Sequence, residues 1–182
     1  MRVLLDACVL YPTMLREILL GAAKRGLFTP LWSPRLLEEW RRAAARAGPR
    51  VAAQATTEIA LLEAAWPGSL VRLPQGSGTG LWLPDPDDIH VLAAALAGRA
   101  DAILTVNVRD FPTRVMADHG LARLVPDPFL RALWAEAPDA VAGAVADAHG
   151  RAETIAGNAL ALHPLLKRAG LPRLARALSA PG

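Results

Sequence analysis

The sequence predicts an α/β fold with a central parallel sheet covered on both faces by helices. Strand-like runs alternate with helical stretches along the chain, and each run is apolar throughout instead of alternating apolar and polar residues. A strand that is apolar on both sides is typical of a parallel sheet buried between helices. The predicted strands are residues 2–5, 27–32, 70–73, 101–106 and 123–125.

Helices are predicted between these strands from the spacing of apolar residues and from signals at their ends. Ser33-Pro34 and Asp85-Pro86 each combine a capping side chain with a proline at the first helical position. The stretch PQGSGTG is predicted to be a loop, because its Pro, Gly and Ser residues resist regular structure. The predicted helices are residues 13–25, 34–47, 51–65 and 85–97.

The pattern changes after Pro126. Asp127-Pro128 caps one more helix, and the remainder is rich in Ala, Leu and Arg, without strand candidates. We therefore predict an α/β domain at residues 1–126 and a helical C-terminal extension of short helices at residues 127–182. Because the extension carries many leucines, we expect it to pack on the domain, on a second copy of the chain, or on another protein.

Composition limits the class of protein. No apolar run reaches the roughly 18 residues that a membrane span needs. Asp6 interrupts the apolar N-terminal run at once, so a secretory signal is not expected and the predicted location is the cytoplasm. A single cysteine, Cys8, excludes an internal disulfide. The formal net charge of +3 comes almost entirely from arginines and permits a nucleic-acid or acidic protein partner.

Polar residues follow two of the predicted strands directly. Asp6 ends the first strand, and Asn107 and Asp110 follow the strand at 101–106. Ligands of open parallel sheets bind at the carboxyl ends of strands, so these residues are candidates for one site. Taken alone, Asp6 also fits a turn or helix cap.

Two further acids lie on predicted helices. Glu39 lies at the border of an apolar helix face, where it can reach inward or bridge to a neighbouring arginine. In the run PDPDD, capping accounts for one or two of the three aspartates. Asp88 falls at the edge of the buried helix face, whereas Asp87 is expected to point to solvent.

Several carboxylates in one pocket raise one another's pKa values and resist ionising together. A divalent cation removes this conflict, and Mg²⁺ and Mn²⁺ prefer oxygen ligands. Such an ion activates water and neutralises charge on a phosphodiester. These acids therefore predict metal-dependent chemistry on a phosphate ester.

Other classes with acids at strand ends do not fit. An aspartyl phosphatase would have a second Asp two residues after Asp6, where Cys8 stands. A receiver domain needs a lysine after a late strand, and Lys24 and Lys167 are the only lysines. A cysteine phosphatase would have Arg six residues after Cys8, where Met14 stands, and no glycine-rich nucleotide motif is present.

Four stretches, RVLLDACVLYP, WSPRLLEEW, DPDDIHVLAAAL and ILTVNVRDFP, resemble the PIN-domain family, in particular the VapC-like toxin ribonucleases of toxin–antitoxin pairs. The resemblance covers residues 1–126 and implies an α/β/α sandwich that cleaves RNA with a water activated by Mg²⁺ or Mn²⁺. By position it assigns Asp6, Glu39 and Asp88 to the core acid set and Asp110 to a fourth acidic position, all as catalytic residues and metal ligands.

The same resemblance suggests roles in substrate binding for Arg16, Asn107 and Thr105. Many family members have Asp at the position of Asn107, so the number of ions, one or two, is left open. Arg16 also fits an exposed helical arginine, and Thr105 also fits an ordinary strand residue. His90 is expected at the surface, and Cys8 is expected to serve in buried packing.

Two functions are therefore considered. The first is a metal-dependent endoribonuclease whose partners are RNA, an antitoxin protein and a second copy of the chain as a homodimer, with no membrane. The second is a non-catalytic binding module whose acids hold a structural ion or salt bridges, and whose helical extension is the docking surface.

Overall fold

The computed structural model describes residues 1–179 of the chain. A single 3₁₀ turn, Pro86–Asp88, precedes α5. In chain order the strands and helices are β1 (Arg2–Leu5), α1 (Ala7–Leu10), α2 (Thr13–Lys24), β2 (Thr29–Leu31), α3 (Pro34–Ala47), α4 (Pro49–Ala65), α5 (Ile89–Ala97), β3 (Ala102–Leu104), α6 (Thr113–Asp118), β4 (Ala122–Leu124), α7 (Pro126–Glu136), α8 (Pro138–Ala156), α9 (Leu162–Arg168) and α10 (Pro172–Ser179).

The centre of the fold is a four-stranded parallel sheet in the order β2-β1-β3-β4, flanked by helices. The strand β1 lies in the middle, with Leu4 opposite Leu31 of β2 and Ile103 of β3. Val3, Leu4 and Leu5 have no exposed surface. Because the strand is buried on both faces, its side chains are apolar throughout instead of alternating with polar ones. The predicted α/β class with a helical C-terminal part is confirmed.

The predicted strand at 70–73 is wrong. The backbone there forms only an isolated bridge between Leu70 and Trp32, at the end of β2. Pro74 follows at once and has no N–H for a sheet hydrogen bond, which explains why pairing does not extend. The sequence analysis also missed the short helices α1 and α6, each of six residues or fewer.

Contacts within the chain divide it into two compact units. The first comprises residues 1–11 and 29–123, and the second comprises residues 12–28 together with the described residues from 124 onward. The helix α2 therefore groups with the C-terminal helices. Whether a boundary at Pro126 separates a domain from an extension stays a prediction.

The second unit is built on the packing of α2 against α8. A Cβ atom on Gly21 of α2 would lie 3.0 Å from Cβ of Ala144 on α8, so the glycine allows the two backbones to approach closely. The helix α8 has 19 residues, longer than the short helices expected for this region.

A buried carboxylate joins two helices of the second unit. Asp127, in the first turn of α7, accepts hydrogen bonds from the backbone N–H groups of Arg173 and Leu174 at 3.0 to 3.1 Å. The side chain thereby satisfies free amides at the start of α10, where the helix dipole also favours a negative charge. The prediction that Asp127 caps α7 is wrong: α7 begins at Pro126 with Val125 as its N-cap, and Asp127 caps α10 instead.

No helix within residues 1–179 combines the length and the apolar character that crossing a membrane requires.

Candidate metal centre

The carboxyl ends of β1 and β3 meet at one edge of the sheet. Leu5 pairs with Leu104 in parallel register, and the N–H of Asp6 donates to the carbonyl of Leu104 at 3.1 Å. Residues that directly follow these strands therefore emerge side by side. Asp6 belongs to the β1 end, and Thr105 and Asn107 belong to the β3 end.

Asp6 accepts hydrogen bonds from one hydroxyl and one thiol. Its side chain is 6% exposed, and its Oδ2 accepts hydrogen bonds from Oγ1 of Thr105 at 2.6 Å and from Sγ of Cys8 at 3.0 Å. A buried carboxylate needs such partners, because an unpaired charge is costly away from water. Thr105, which is fully buried, fixes the orientation of Asp6.

Asn107 extends this network to the start of α5. Its backbone N–H donates to Oγ1 of Thr105 at 2.9 Å, and its side-chain amide donates to Oδ2 of Asp88 at 3.1 Å. The hydrogen bonds therefore form a continuous path from Asp6 through Thr105 and Asn107 to Asp88.

Three carboxylates form what we call the aspartate cluster: Asp85, Asp88 and Asp110. One carboxylate oxygen from each of the three residues lies within 4.8 Å of one carboxylate oxygen from each of the other two. Asp85 is exposed, and Asp88 and Asp110 are half-buried. Asp85 also caps the 3₁₀ turn, since its Oδ1 accepts from the N–H of Asp87 at 2.9 Å.

The environment of Asp88 makes its carboxyl group harder to ionise. The pKa of Asp88 is raised to about 6, mainly by burial and then by the negative charges of Asp6, Asp85 and Asp110, while His90 acts in the opposite direction. A shift of this direction is expected wherever carboxylates crowd together without a counter-charge.

The donor set fits a divalent cation. All three ligands are carboxylate oxygens, which suit hard ions such as Mg²⁺ and Mn²⁺. An octahedral ion with ligands at about 2.1 Å places neighbouring oxygens about 3.0 Å apart and opposite oxygens about 4.2 Å apart. The three carboxylate oxygens, which lie within 4.8 Å of one another, would therefore have to draw closer together to share one ion.

Glu39 lies apart from the aspartate cluster and faces His90. Oε1 of Glu39 lies 2.7 Å from Nε2 of His90 and 3.5 Å from Nε of Arg35, both within ion-pair distance. The expected bridge between Glu39 and a neighbouring arginine is therefore present. The predicted role of Glu39 as a catalytic residue and metal ligand stays a prediction, because its carboxylate is not one of the three that gather among residues 1–179.

His90 is not at the surface as expected. It is 9% exposed, because the helix α5 is buried on almost all sides. Neither ring nitrogen meets the geometry of a hydrogen bond within the described chain, although Nε2 is close to Glu39. The amphipathic pattern of α5 could not show this, since nearly the whole helix is apolar.

The remaining predicted residues are placed as follows. Arg16 lies on α2 in the second unit and is 3% exposed, so it is not the exposed helical arginine considered as its alternative. Its role in substrate binding stays a prediction, as do those of Asn107 and Thr105.

Cys8 is half-buried and donates to Asp6, so it does more than fill space. Burial, with the nearby charge of Asp6 as a second cause, raises the pKa of the Cys8 thiol to about 12. The thiol therefore stays protonated at neutral pH and is not a nucleophile.

Sequence reasoning missed Asp85 as a member of the cluster. Its capping role is real and gave a sufficient explanation of the residue. The available signal was the excess of acids in PDPDD, since capping explains at most two of the three aspartates. Asp85 and Asp87 both precede Asp88 in this run. Asp85 belongs to the aspartate cluster, whereas Asp87 is exposed and does not.

The raised pKa of Asp88 predicts a pH dependence. Because the folded pKa, about 6, exceeds the ordinary value of 3.8, the folded metal-free protein binds this proton more tightly than the unfolded chain. The contribution of Asp88 to stability is therefore present below pH 4 and is lost as the pH rises through 6. A divalent ion competes with the same proton, so its affinity should fall about tenfold from pH 7 to pH 5.

Thermal unfolding with and without Mn²⁺ at pH 5 and pH 7.5 measures this effect. We expect a larger Mn²⁺-induced rise in the unfolding temperature at pH 7.5. The variant Asp88→Asn should lose most of this difference, and an equal rise at both pH values in the wild type would contradict the interpretation.

A family model described as a PIN domain matches residues 2–109, which is more than half of the chain. The match includes Asp6, Glu39, Asp88 and Asn107 and ends one residue before Asp110. No curated protein and no solved structure shows significant similarity to the chain.

Proposed function

Because the chain belongs to the PIN-domain family, whose members are generally metal-dependent nucleases, we propose that it is an endoribonuclease dependent on Mg²⁺ or Mn²⁺. The observation that carries this proposal is the aspartate cluster at the end of the parallel sheet. Burial, and then repulsion from the neighbouring acids, raises the pKa of Asp88, so a cation would stabilise the three carboxylates that lie within 4.8 Å of one another.

In this proposal Asp85, Asp88 and Asp110 would hold the ion. When bound, the ion would supply a water of lowered pKa and positive charge opposite the phosphate that is cleaved. Asn107 holds the carboxylate of Asp88 in place through its side-chain amide. Asp6 adds negative charge close to Asp88, which favours a cation over a proton at the cluster.

The bare cluster repels RNA. Its carboxylates and the phosphates of the substrate carry charges of the same sign, so RNA cannot approach without a counter-charge between them. Both cleavage and close binding of the scissile phosphate are therefore expected to depend on the ion.

Cleavage of a single-stranded RNA pool by the purified protein tests this function. We expect cleavage with Mg²⁺ or Mn²⁺ and none with EDTA. When water attacks phosphorus and the ribose oxygen leaves, the product carries a simple phosphate monoester. Attack by the ribose 2′-hydroxyl, as in common contaminating ribonucleases, instead leaves a 2′,3′-cyclic phosphate.

Two results would contradict the proposal. One is the absence of cleavage with either ion, which would favour the non-catalytic binding module. The other is cleavage that persists in EDTA and yields cyclic phosphate ends, which would assign the activity to a different mechanism or a contaminant.

We propose further that the nuclease acts as a VapC-like toxin neutralised by an antitoxin protein, and that the chain forms a homodimer. The four sequence stretches that resemble such toxins support this role. Growth arrest on expression, relieved by a small protein encoded next to this gene, is the expected result. Normal growth with an active nuclease would contradict the toxin role alone.

A further inference from the structure

We propose that a cavity beside the aspartate cluster binds one nucleobase of single-stranded RNA, next to the phosphate that is cleaved. This inference rests on the proposed function and adds a site for the substrate. The cavity has a volume of about 370 Å³ and opens between the loop at residues 74–80 and the start of α5. Its polar lining comes from Arg35, Ser77 and His90.

The position of the cavity follows from the segment at residues 85–90. Asp85 and Asp88 of this segment belong to the aspartate cluster, whereas Pro86, Ile89 and His90 line the cavity. The two sites therefore share one short turn of the chain. From this shared turn we expect an RNA strand with a phosphate at the cluster to place its neighbouring nucleotide at the cavity.

The walls suit a flat, partly apolar group. Leu73, Pro74, Pro86, Ile89 and Ala93 provide apolar surface, and the volume is within the range of about 300–1,000 Å³ typical of small-molecule sites. A nucleobase has two apolar faces and a polar edge, and such walls accept its faces.

His90 provides one ring nitrogen, Nδ1, that the rest of the described chain leaves without a partner, whereas its Nε2 lies 2.7 Å from Oε1 of Glu39. It is 9% exposed, it lines the cavity, and its Nδ1 has no hydrogen-bond partner. A buried polar atom is costly unless something pairs with it. The edge of a base, which carries both donors and acceptors, can pair with Nδ1 of the imidazole. It can also donate to Oγ of Ser77, whose own hydrogen goes to the carbonyl of Pro74 at 2.6 Å.

Arg35 adds a cation on the cavity lining. Its Nη2 donates to the carbonyl of Asp87 at 3.2 Å, and its side chain is 55% exposed. A guanidinium held in this way suits a phosphate of the bound nucleotide. The net result is a base site with a phosphate contact at its side.

The loop at residues 74–80, which lines one side of the cavity, packs tightly on α5. A Cβ atom on Gly78 would lie 3.1 Å from Cγ2 of Ile89, so the backbone of the loop contacts this side chain closely. The cavity wall is therefore formed before any ligand binds, which reduces the ordering cost of binding.

Sequencing the cleavage sites of a randomised single-stranded RNA pool tests the proposal. Because hydrogen bonds to the base edge distinguish the bases, we expect the wild type to favour particular bases at one position next to the cut, by about tenfold in kcat/KM. The variant Ser77→Trp fills the cavity and should remove this preference while metal-dependent cleavage persists. The matched control Thr79→Trp changes an exposed position of the same loop outside the lining and should keep it.

Binding without cleavage gives a second measurement, which stays informative if Ser77→Trp fails to fold. In protein labelled with ¹⁵N-histidine, the His90 signal, assigned with His90→Gln, should shift saturably with at least one of AMP, CMP, GMP and UMP. Inorganic phosphate should leave it unchanged. The absence of a shift with all four nucleotides would overturn the proposal.

The two levels of inference fail separately. A wild type that cleaves RNA with metal but shows no base preference beside the cut overturns the base site and leaves the nuclease intact. A wild type that cleaves no RNA overturns the proposed function, and a His90 shift with nucleotides would then still support the cavity as a nucleotide site.

Discussion

Replacement of Asp88 by asparagine is expected to lower kcat/KM for RNA cleavage by about 10²–10³-fold, the loss typical when a central electrostatic group leaves an active site. Asparagine keeps the shape of the side chain and removes its charge. Asp88 is the member of the aspartate cluster that Asn107 holds and whose pKa the other acids raise. Its charge is therefore the one most dependent on a bound cation.

Asp87→Asn is the matched control, because Asp87 directly precedes Asp88, has the same side chain, and is exposed outside the aspartate cluster. We expect it to retain activity within about twofold, as is usual for surface changes away from such features. Stability provides a second contrast: metal-free Asp88→Asn should unfold at the same or a higher temperature than the wild type at pH 7, because repulsion is relieved. Equal activities of Asp87→Asn and Asp88→Asn would refute the assignment.

Replacement of Asp6 by asparagine is expected to reduce cleavage by about 10²-fold. Asp6 lies outside the aspartate cluster but acts on Asp88 through its charge. Thr105 is a positioning residue, because its hydroxyl donates to Asp6 and accepts from the N–H of Asn107, whose side-chain amide holds Asp88. Thr105→Val should therefore cost about 10–100-fold in metal affinity, as for other groups that orient a metal site.

Titration with Mn²⁺ separates these roles from a purely structural effect. Thr105→Val should weaken Mn²⁺ binding and recover activity at high Mn²⁺ concentration, whereas Asp6→Asn should not recover fully. Thr56→Val is the control, since Thr56 is an exposed helical threonine whose hydroxyl donates to the backbone carbonyl of Ala52 and contacts no acid of the site. Wild-type Mn²⁺ affinity in Thr105→Val would contradict the positioning role.

The parallel sheet was predictable because burial on both faces leaves a direct mark on the sequence. The apolar run before Asp6 has this mark, and the acid that ends it was correctly placed at the carboxyl end of a strand. Because the carboxyl ends of parallel strands lie at one edge of the sheet, the sequence also predicts that Asp6 and Asn107 lie close to each other. In the structure the two residues are connected by hydrogen bonds through the hydroxyl of Thr105.

Other features depend on contacts between distant parts of the chain. Asp85 looked fully explained as a cap, and its second role needs the position of Asp110, which follows a different strand. His90 looked exposed because an apolar helix has no polar face to mark its orientation. The grouping of α2 with the C-terminal helices likewise depends on the close approach of Gly21 to Ala144, which local pattern does not reveal.

The central claim is that Asp85, Asp88 and Asp110 together hold a divalent ion, and anomalous X-ray diffraction from crystals grown with Mn²⁺ tests it most directly. We expect a manganese peak within about 2.5 Å of carboxylate oxygens of all three residues, and its loss in Asp88→Asn. A fully occupied manganese site elsewhere, with none at these three aspartates, would contradict it.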